Sequence, residues 1–385
     1  MKDKWQQLFA NFTLYPLLSR KMLLSEITNY LNAEIPQALQ ESYDNCGLLI
    51  GNPWSEIKGI LICLDVTQQV LDEAIEKKCN LVISHHPLIF SGIKSLTGRT
   101  DTERLVIRSI REDISIYAIH TNLDNHSDGV NRMLCSKLGI ENAVILRPLP
   151  GILRKLVTFC PPSHAGRVKE AIFGAGAGQI GNYDSCSFHA PGEGTFRAQA
   201  GADPFVGEIG KLHTETELRI ETIFPAYLEK DIVAALKQAH PYQEVAFDVY
   251  PLSNVHHHLG AGMIGDLPKA VEALEFLNQV KEILRLGCIR HTQLENKKIQ
   301  RIALCGGSGS FLINEAMSCG AELYMTGDVK YHDFFIPENK MILADIGHYE
   351  SEQFTKELIY TLLKKKFTTF ALFISGTNTN PVNYL

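Results

Sequence analysis

The chain has 385 residues, of which 45% are hydrophobic and 21% charged, with a formal net charge of -6. That length suits two or three domains with sizeable cores, and an acidic surface with no basic run longer than the KKK at 364–366 argues against duplex nucleic acid and anionic membranes as partners. No apolar run reaches the ~20 residues of a membrane span and the first residues lack a leader's apolar stretch, so a cytoplasmic protein is expected.

In chain order, LLSEITNYL (23–31) reads as a helix and GILICLDV (59–66) as a strand. QVLDEAIEKK (69–78), ERLVIRSIRE (103–112) and VNRMLCSKL (130–138) read as helices, alternating with the strands NLVIS (80–84) and ISIYAI (114–119). Short apolar strands between amphipathic helices predict a mostly parallel sheet covered by helices. After Arg147 the character changes. LVTFC (156–160), a helix at 165–173, strands SCSFHA (185–190) and GTFRAQ (194–199), the long strand at 212–224, a helix at 228–239 and VAFDVYPL (245–252) follow. That order is βαββαβ with one extra strand, a ferredoxin-like α+β domain inserted into the α/β fold. Beyond LGAGMIGDL the alternation resumes, with strands at 299–305, 322–326, 341–346 and 370–374 and helices at 270–285, 311–318 and 351–365.

Shifting the first half by 242 residues places Ile60 on Ile302, Cys63 on Cys305, Leu81 on Leu323 and Ser84 on Thr326, and drops His85-His86 on Gly327-Asp328. A strand ending in His120 with Asp124 four residues on also matches one running to His348 with Glu352 four residues on. The two α/β halves are therefore read as approximate copies forming one domain. The expected organisation is an N-terminal extension (1–21), a first half (22–150), the insert (151–255) and a second half (256–385).

Ligands in open α/β sheets bind beyond the carboxyl ends of strands. His85 and His86, His120 and Asp124, Asp328 and His332, and His348 and Glu352 all sit at such ends. Imidazole and carboxylate are the donor set for zinc, manganese, iron or nickel, and this many groups from different strands could hold two ions. Neighbours on an extended backbone point to opposite sides, so His85 and His86 suit different ions. His348 and Glu352, four apart at a helix start, can point the same way, with Glu352 placed to bridge. His120 reads either as a partner orienting Asp124 or as an acid. The HHH at 256–258 reads as linker and GGSGS (306–310) as a turn rather than a phosphate loop. The nine cysteines contain no CxxC pair and read as buried thiols.

ESYDNCGLLIG (41–51), LVISHHPLIF (81–90), AIHTNLDN (118–125), GAGMIGDL (260–267), ALCGGSGS (303–310), TGDVKYHD (326–333) and DIGHYESE (345–352) together resemble the Nif-three-like family, labelled GTP cyclohydrolase I type 2 homologues. The likeness runs from about Leu24 to the end, with Tyr43 where the family pattern has Trp. It implies a dinuclear site of His85, His86, Asp124, His348 and bridging Glu352, a PII/CutA-like insert and a toroidal homo-hexamer. It also implies a metal-dependent hydrolase opening the imidazole ring of a purine nucleotide such as GTP, a small-molecule substrate, with His332 or His120 protonating the departing nitrogen. The rival reading is a regulatory or scaffold protein that binds metal and nucleotide without turnover.

Overall fold

A computed structural model describes residues 21–294 and 297–385. The extension read at 1–21 lies, apart from Lys21, outside the described residues. Among the described residues fifteen strands form three sheets: β1 (Gly47–Ile50), β2 (Ile60–Cys63), β3 (Leu81–Ser84), β4 (Ser115–Ala118), β5 (Glu141–Pro148), β6 (Leu153–Cys160), β7 (Phe188–Arg197), β8 (Leu212–Pro225), β9 (Phe247–Pro251), β10 (Gly260–Glu272), β11 (Arg290–His291), β12 (Lys298–Ser308), β13 (Leu323–Gly327), β14 (Ile342–Asp345) and β15 (Leu372–Ile374).

The first sheet has the order β1-β4-β3-β2-β15, parallel except for β1. The second has the order β11-β14-β13-β12-β10-β5, with a parallel centre of β12, β13 and β14. Every residue of β2, β3, β4 and β14 is buried, as expected for parallel strands covered on both faces. Side-chain alternation then divides each strand between two cores. Ile60, Ile62, Leu81 and Ile83 join Ile302, Leu304, Leu323 and Met325 in one cluster that spans both sheets. The alternate residues Leu61, Cys63 and Val82, and likewise Ala303, Cys305 and Tyr324, pack outward against each half's own elements. Helix Asp101–Arg111 illustrates the local logic: Thr100 caps it through the Glu103 amide, acids fill its first turn and arginines its last.

The 242-residue offset reappears in the ladders, where Ile60 pairs with Leu81 and Ile302 with Leu323. The halves also trade strands. β5 comes from the first half yet joins the second sheet, and β15 comes from the chain's end yet pairs with β2 in the first. Glu73 secures that return through Ser375, Gly376 and Thr377.

Residues between β5 and β10 form a four-stranded antiparallel sheet of order β7-β8-β6-β9, with helices Ala165–Gly174 and Glu229–Ala239 packed on one face. Pro148 and Gly260 are ladder partners, so the segment leaves and rejoins at one point. The two strands expected at 185–190 and 194–199 are one, β7, and the extra strand disappears. Pro191, Gly192 and Gly194 look like a turn, but β7 is an edge strand, where a missing proline N–H costs no ladder bond. The helix expected at 351–365 is likewise two, His348–Glu352 and Thr355–Lys366. Among the described residues no helix is long and apolar enough to cross a membrane.

Candidate metal centre

The site assembles where strand ends of the two sheets meet. After β3 the backbone stays paired, His85 N to the Cys63 carbonyl and His86 N to the Leu64 carbonyl, and the two imidazoles stay close, their ring centroids 5.0 Å apart. His85 is fully buried, and its Nδ1 lies 2.9 Å from the Ile119 carbonyl. A carbonyl only accepts, so Nδ1 carries the proton and Nε2 presents a lone pair to the cleft. That Nε2 and Asp124 Oδ1, 3.7 Å away, are both buried with no hydrogen-bond partner. Orphaned buried donor atoms facing one another are costly unless something sits between them.

Glu352 enters from the other half, on a five-residue helix that follows Gly347. Its Oε1 is 3.7 Å from His85 Nε2, while its Oε2 is 2.9 Å from His86 Nε2 and 3.1 Å from His348 Nε2. His86 and His348 meet at 3.3 Å through their Nε2 atoms. Two donors each ~2.0–2.2 Å from one ion stand roughly 2.9–3.6 Å apart at ordinary coordination angles, close to these spacings. The donor atoms of His85, Asp124 and Glu352 lie within 4.8 Å of one another, as do those of His86, His348 and Glu352, and those of His85, His86 and His120. Each such group could hold a metal ion.

The glycines at the end of β12 make room for this helix. Gly307 has φ +62°, and a Cβ there would lie 2.2 Å from Glu352 Oε1. The amides of Gly306, Gly307 and Gly309 are spent on Asn131, Ser351 and Thr326 side chains, which leaves those donors unavailable to a phosphate, and residues 306–308, expected as part of a turn, close strand β12.

The Duf34/NIF3 (NGG1p interacting factor 3) family model matches residues 22–381. The chain belongs to the Duf34/NIF3 family. It is 36% identical over 359 residues to a Bacillus subtilis protein named GTP cyclohydrolase 1 type 2 homolog, covering 91% of this chain and 95% of that one. A Halalkalibacterium halodurans protein of the same name is 38% identical over 358 residues, with the same two coverages. Among solved structures, a Bacillus cereus protein related to NIF3 superimposes with a TM-score of 0.83 at 36% identity, over 95% of this chain and all of its own.

In this Duf34/NIF3 chain each imidazole is anchored through its Nδ1. Asp65 Oδ1 holds His86 at 2.7 Å, Asp328 Oδ2 holds His348 at 2.7 Å and Asp44 Oδ1 holds His120 at 2.9 Å. Such outer partners fix ring orientation and make Nε2 the metal-facing atom. Burial drives His85 down to about 4, keeping it neutral. Burial also opposes charge on His86 and His348, but Asp65 and Glu352 lift the first to about 10, and Glu352 and Asp328 lift the second to about 9. Burial, reinforced by Glu352, raises Asp124 well above the carboxylate range, whereas the imidazoles of His348, His85 and His86 overcome burial to hold Glu352 below it. Without a cation the cluster therefore holds protons on His86 and His348 at neutral pH.

Two assignments change. His120 bonds to Asp44, not to Asp124, because Asp44 from the loop before β1 is buried beside it and also takes the Thr121 amide at 3.1 Å. His332 is not brought to the cluster: it is exposed on the short turn Tyr331–Phe335, its ring 5.3 Å from Tyr331. Asp44 and Asp65 were missed as anchors. Asp65 follows the buried run of β2 and obeys the same strand-end rule as the histidines, so its signal was present. Thr379, which donates to Asp65 Oδ2 at 2.6 Å, carried none.

Proposed function

We propose that this cleft binds two divalent transition-metal ions, zinc, manganese, iron or nickel, and that the protein is a metal-dependent hydrolase. The observation that carries the reading is the split of Glu352: Oε1 faces His85, which faces Asp124, while Oε2 faces His86 and His348. One carboxylate serving two three-donor groups is the arrangement that a bridged pair requires. When bound, the ions supply a nucleophile from water near neutral pH and polarise the bond to be cleaved.

The proposed substrate is a purine nucleotide or a related ring whose C–N bond is opened by hydrolysis, in keeping with the name of the Bacillus subtilis and Halalkalibacterium halodurans relatives. A cavity of about 400 Å³ adjoins His86, His120, Asp124, His348 and Glu352, and the half-exposed rings of Tyr43, Phe90 and Phe311 stand on its rim. They suit a planar heteroaromatic ring. Among the described residues no Lys or Arg lines this cavity, so recognition centres on the ring rather than on phosphates. His120, on the cavity wall and oriented by Asp44, is placed to hold or pass a proton to the departing nitrogen. Protein loaded with each candidate metal should release formate from GTP. Silence with every metal, alongside full metal occupancy, would favour the binding or scaffold reading.

Two further features complete the proposal. The β7-β8-β6-β9 order supports reading residues 151–255 as a ferredoxin-like insert of the PII/CutA kind, and deleting it between the paired Pro148 and Gly260 should leave a folded, metal-binding core. The chain is also proposed to form a homo-oligomer, a toroidal hexamer, whose mass light scattering would read. The exposed rings of Tyr331 and Phe335 are the type of surface that a second copy covers.

A further inference from the structure

The insert carries a cavity of its own, about 760 Å³, remote in character from the metal cleft. It lies on the face of the β7-β8-β6-β9 sheet opposite the helices. Phe159 and Arg219, cross-strand partners, line it, and they alternate with Cys160 and Ile220, which pack against the helices. Three aromatic rings stand together there. Phe196 is 6.2 Å and Phe205 6.1 Å from Tyr242, centroid to centroid.

Three carboxylates line the cavity, the exposed Glu193 and Glu244 and, among these rings, Glu217. Glu217 is only 8% exposed, and no ion pair of the described residues includes it. Two cations line the cavity as well: Arg219 is engaged elsewhere, its Nε 2.9 Å from Glu221 Oε1, and Arg197 is exposed on the edge strand β7. The Tyr242 hydroxyl faces Glu217, and burial, then that carboxylate, raise the phenol above its ordinary range. The strand is built to admit this carboxylate: a Cβ on Gly194 would lie 2.2 Å from Glu217 Oε2. A buried carboxylate without a counter-charge is costly, and aromatic faces attract cations.

We propose that this cavity binds a small organic cation, an alkylated ammonium with an apolar body, its charge at Glu217 and its alkyl groups against Phe196, Phe205 and Tyr242. The size is that of a small-molecule site, and the proposal does not depend on the reading of the metal cleft. The test uses the full, metal-loaded chain titrated with choline and with its uncharged shape match, 3,3-dimethylbutan-1-ol, followed by calorimetry and ligand-observed NMR. Choline should bind about tenfold or more tightly than the alcohol, and Glu217→Gln should remove that preference, with circular dichroism as the folding check. Tyr242→Phe, which keeps the ring, should retain the preference. Equal binding of the two probes, an unaltered preference in Glu217→Gln, or no choline binding up to about 10 mM would each overturn the assignment. So would a cavity sealed by another copy, read as no binding to wild type together with a lower oligomeric mass in Phe205→Ala.

Discussion

The two α/β halves share a frame and differ in what they hang on it. β2 and β3 pair in the same register as β12 and β13, with inner residues facing one common core. Yet the first pair leads into Ser84, His85 and His86, and the second into Thr326, Gly327 and Asp328. The first half offers donors directly from strand-end loops. The second half keeps glycines there, so that the helix carrying His348 and Glu352 can approach: a Cβ on Gly327 would lie 2.8 Å from the His348 amide, and one on Gly307 even closer to Glu352. Backbone repetition thus fixes where groups can converge, and the residue just past each strand decides whether a half supplies a ligand or room for one.

The sharpest way to break this comparison is Glu352→Gln, the one residue shared by both groups. Purified variant should lose metal from both, a fall of more than about 100-fold in affinity, read by elemental analysis. A variant retaining two equivalents would show that the halves do not meet at this carboxylate. Next in size, His85→Ala and His348→Ala should each empty one group and leave about one equivalent, one change in each half. If either empties both groups, the division between them is wrong. Removing the anchors is milder: Asp65→Asn and Asp328→Asn should each weaken metal binding by about 10–100-fold, and similar losses would show that the halves orient their imidazoles by the same device.

The smallest effect is pH-linked. Metal uptake at neutral pH should expel protons from His86 and His348, measurable by calorimetry in buffers of different ionisation heat. Affinity should therefore rise with pH until His348 and His86 have titrated, near 9 and 10. In the metal-free protein the sign is reversed for stability. Both histidines are raised, so their contribution is complete below about pH 6.5 and lost as pH climbs through those values. Thermal melts of metal-free and metal-loaded protein should diverge most at alkaline pH.

Much of this was readable beforehand because strand interiors are buried on both faces and appear as short apolar runs, as in LICL and LVIS. His85, His86, Asp124, His348 and Glu352 stood out as polar residues at the ends of such runs, and the structure brings all five together. β7 was misread because Pro191 and two glycines signal a turn unless the strand is known to lie at an edge. His332 had the right position in a motif and the wrong surroundings. The pairing of His120 with Asp44 spans 76 residues, beyond any local pattern.

The alternating elements, the repeated frame and the chemical identity of the donor set are written in local sequence, since they depend on periodicity and residue type over a few neighbours. That β5 and β15 cross to the opposite sheets, which carboxylate anchors which imidazole, and that Glu352 turns one oxygen to each group are properties of the folded chain. Those outcomes depend on long-range packing, where a side chain's partner is set by which backbone can approach it and how closely.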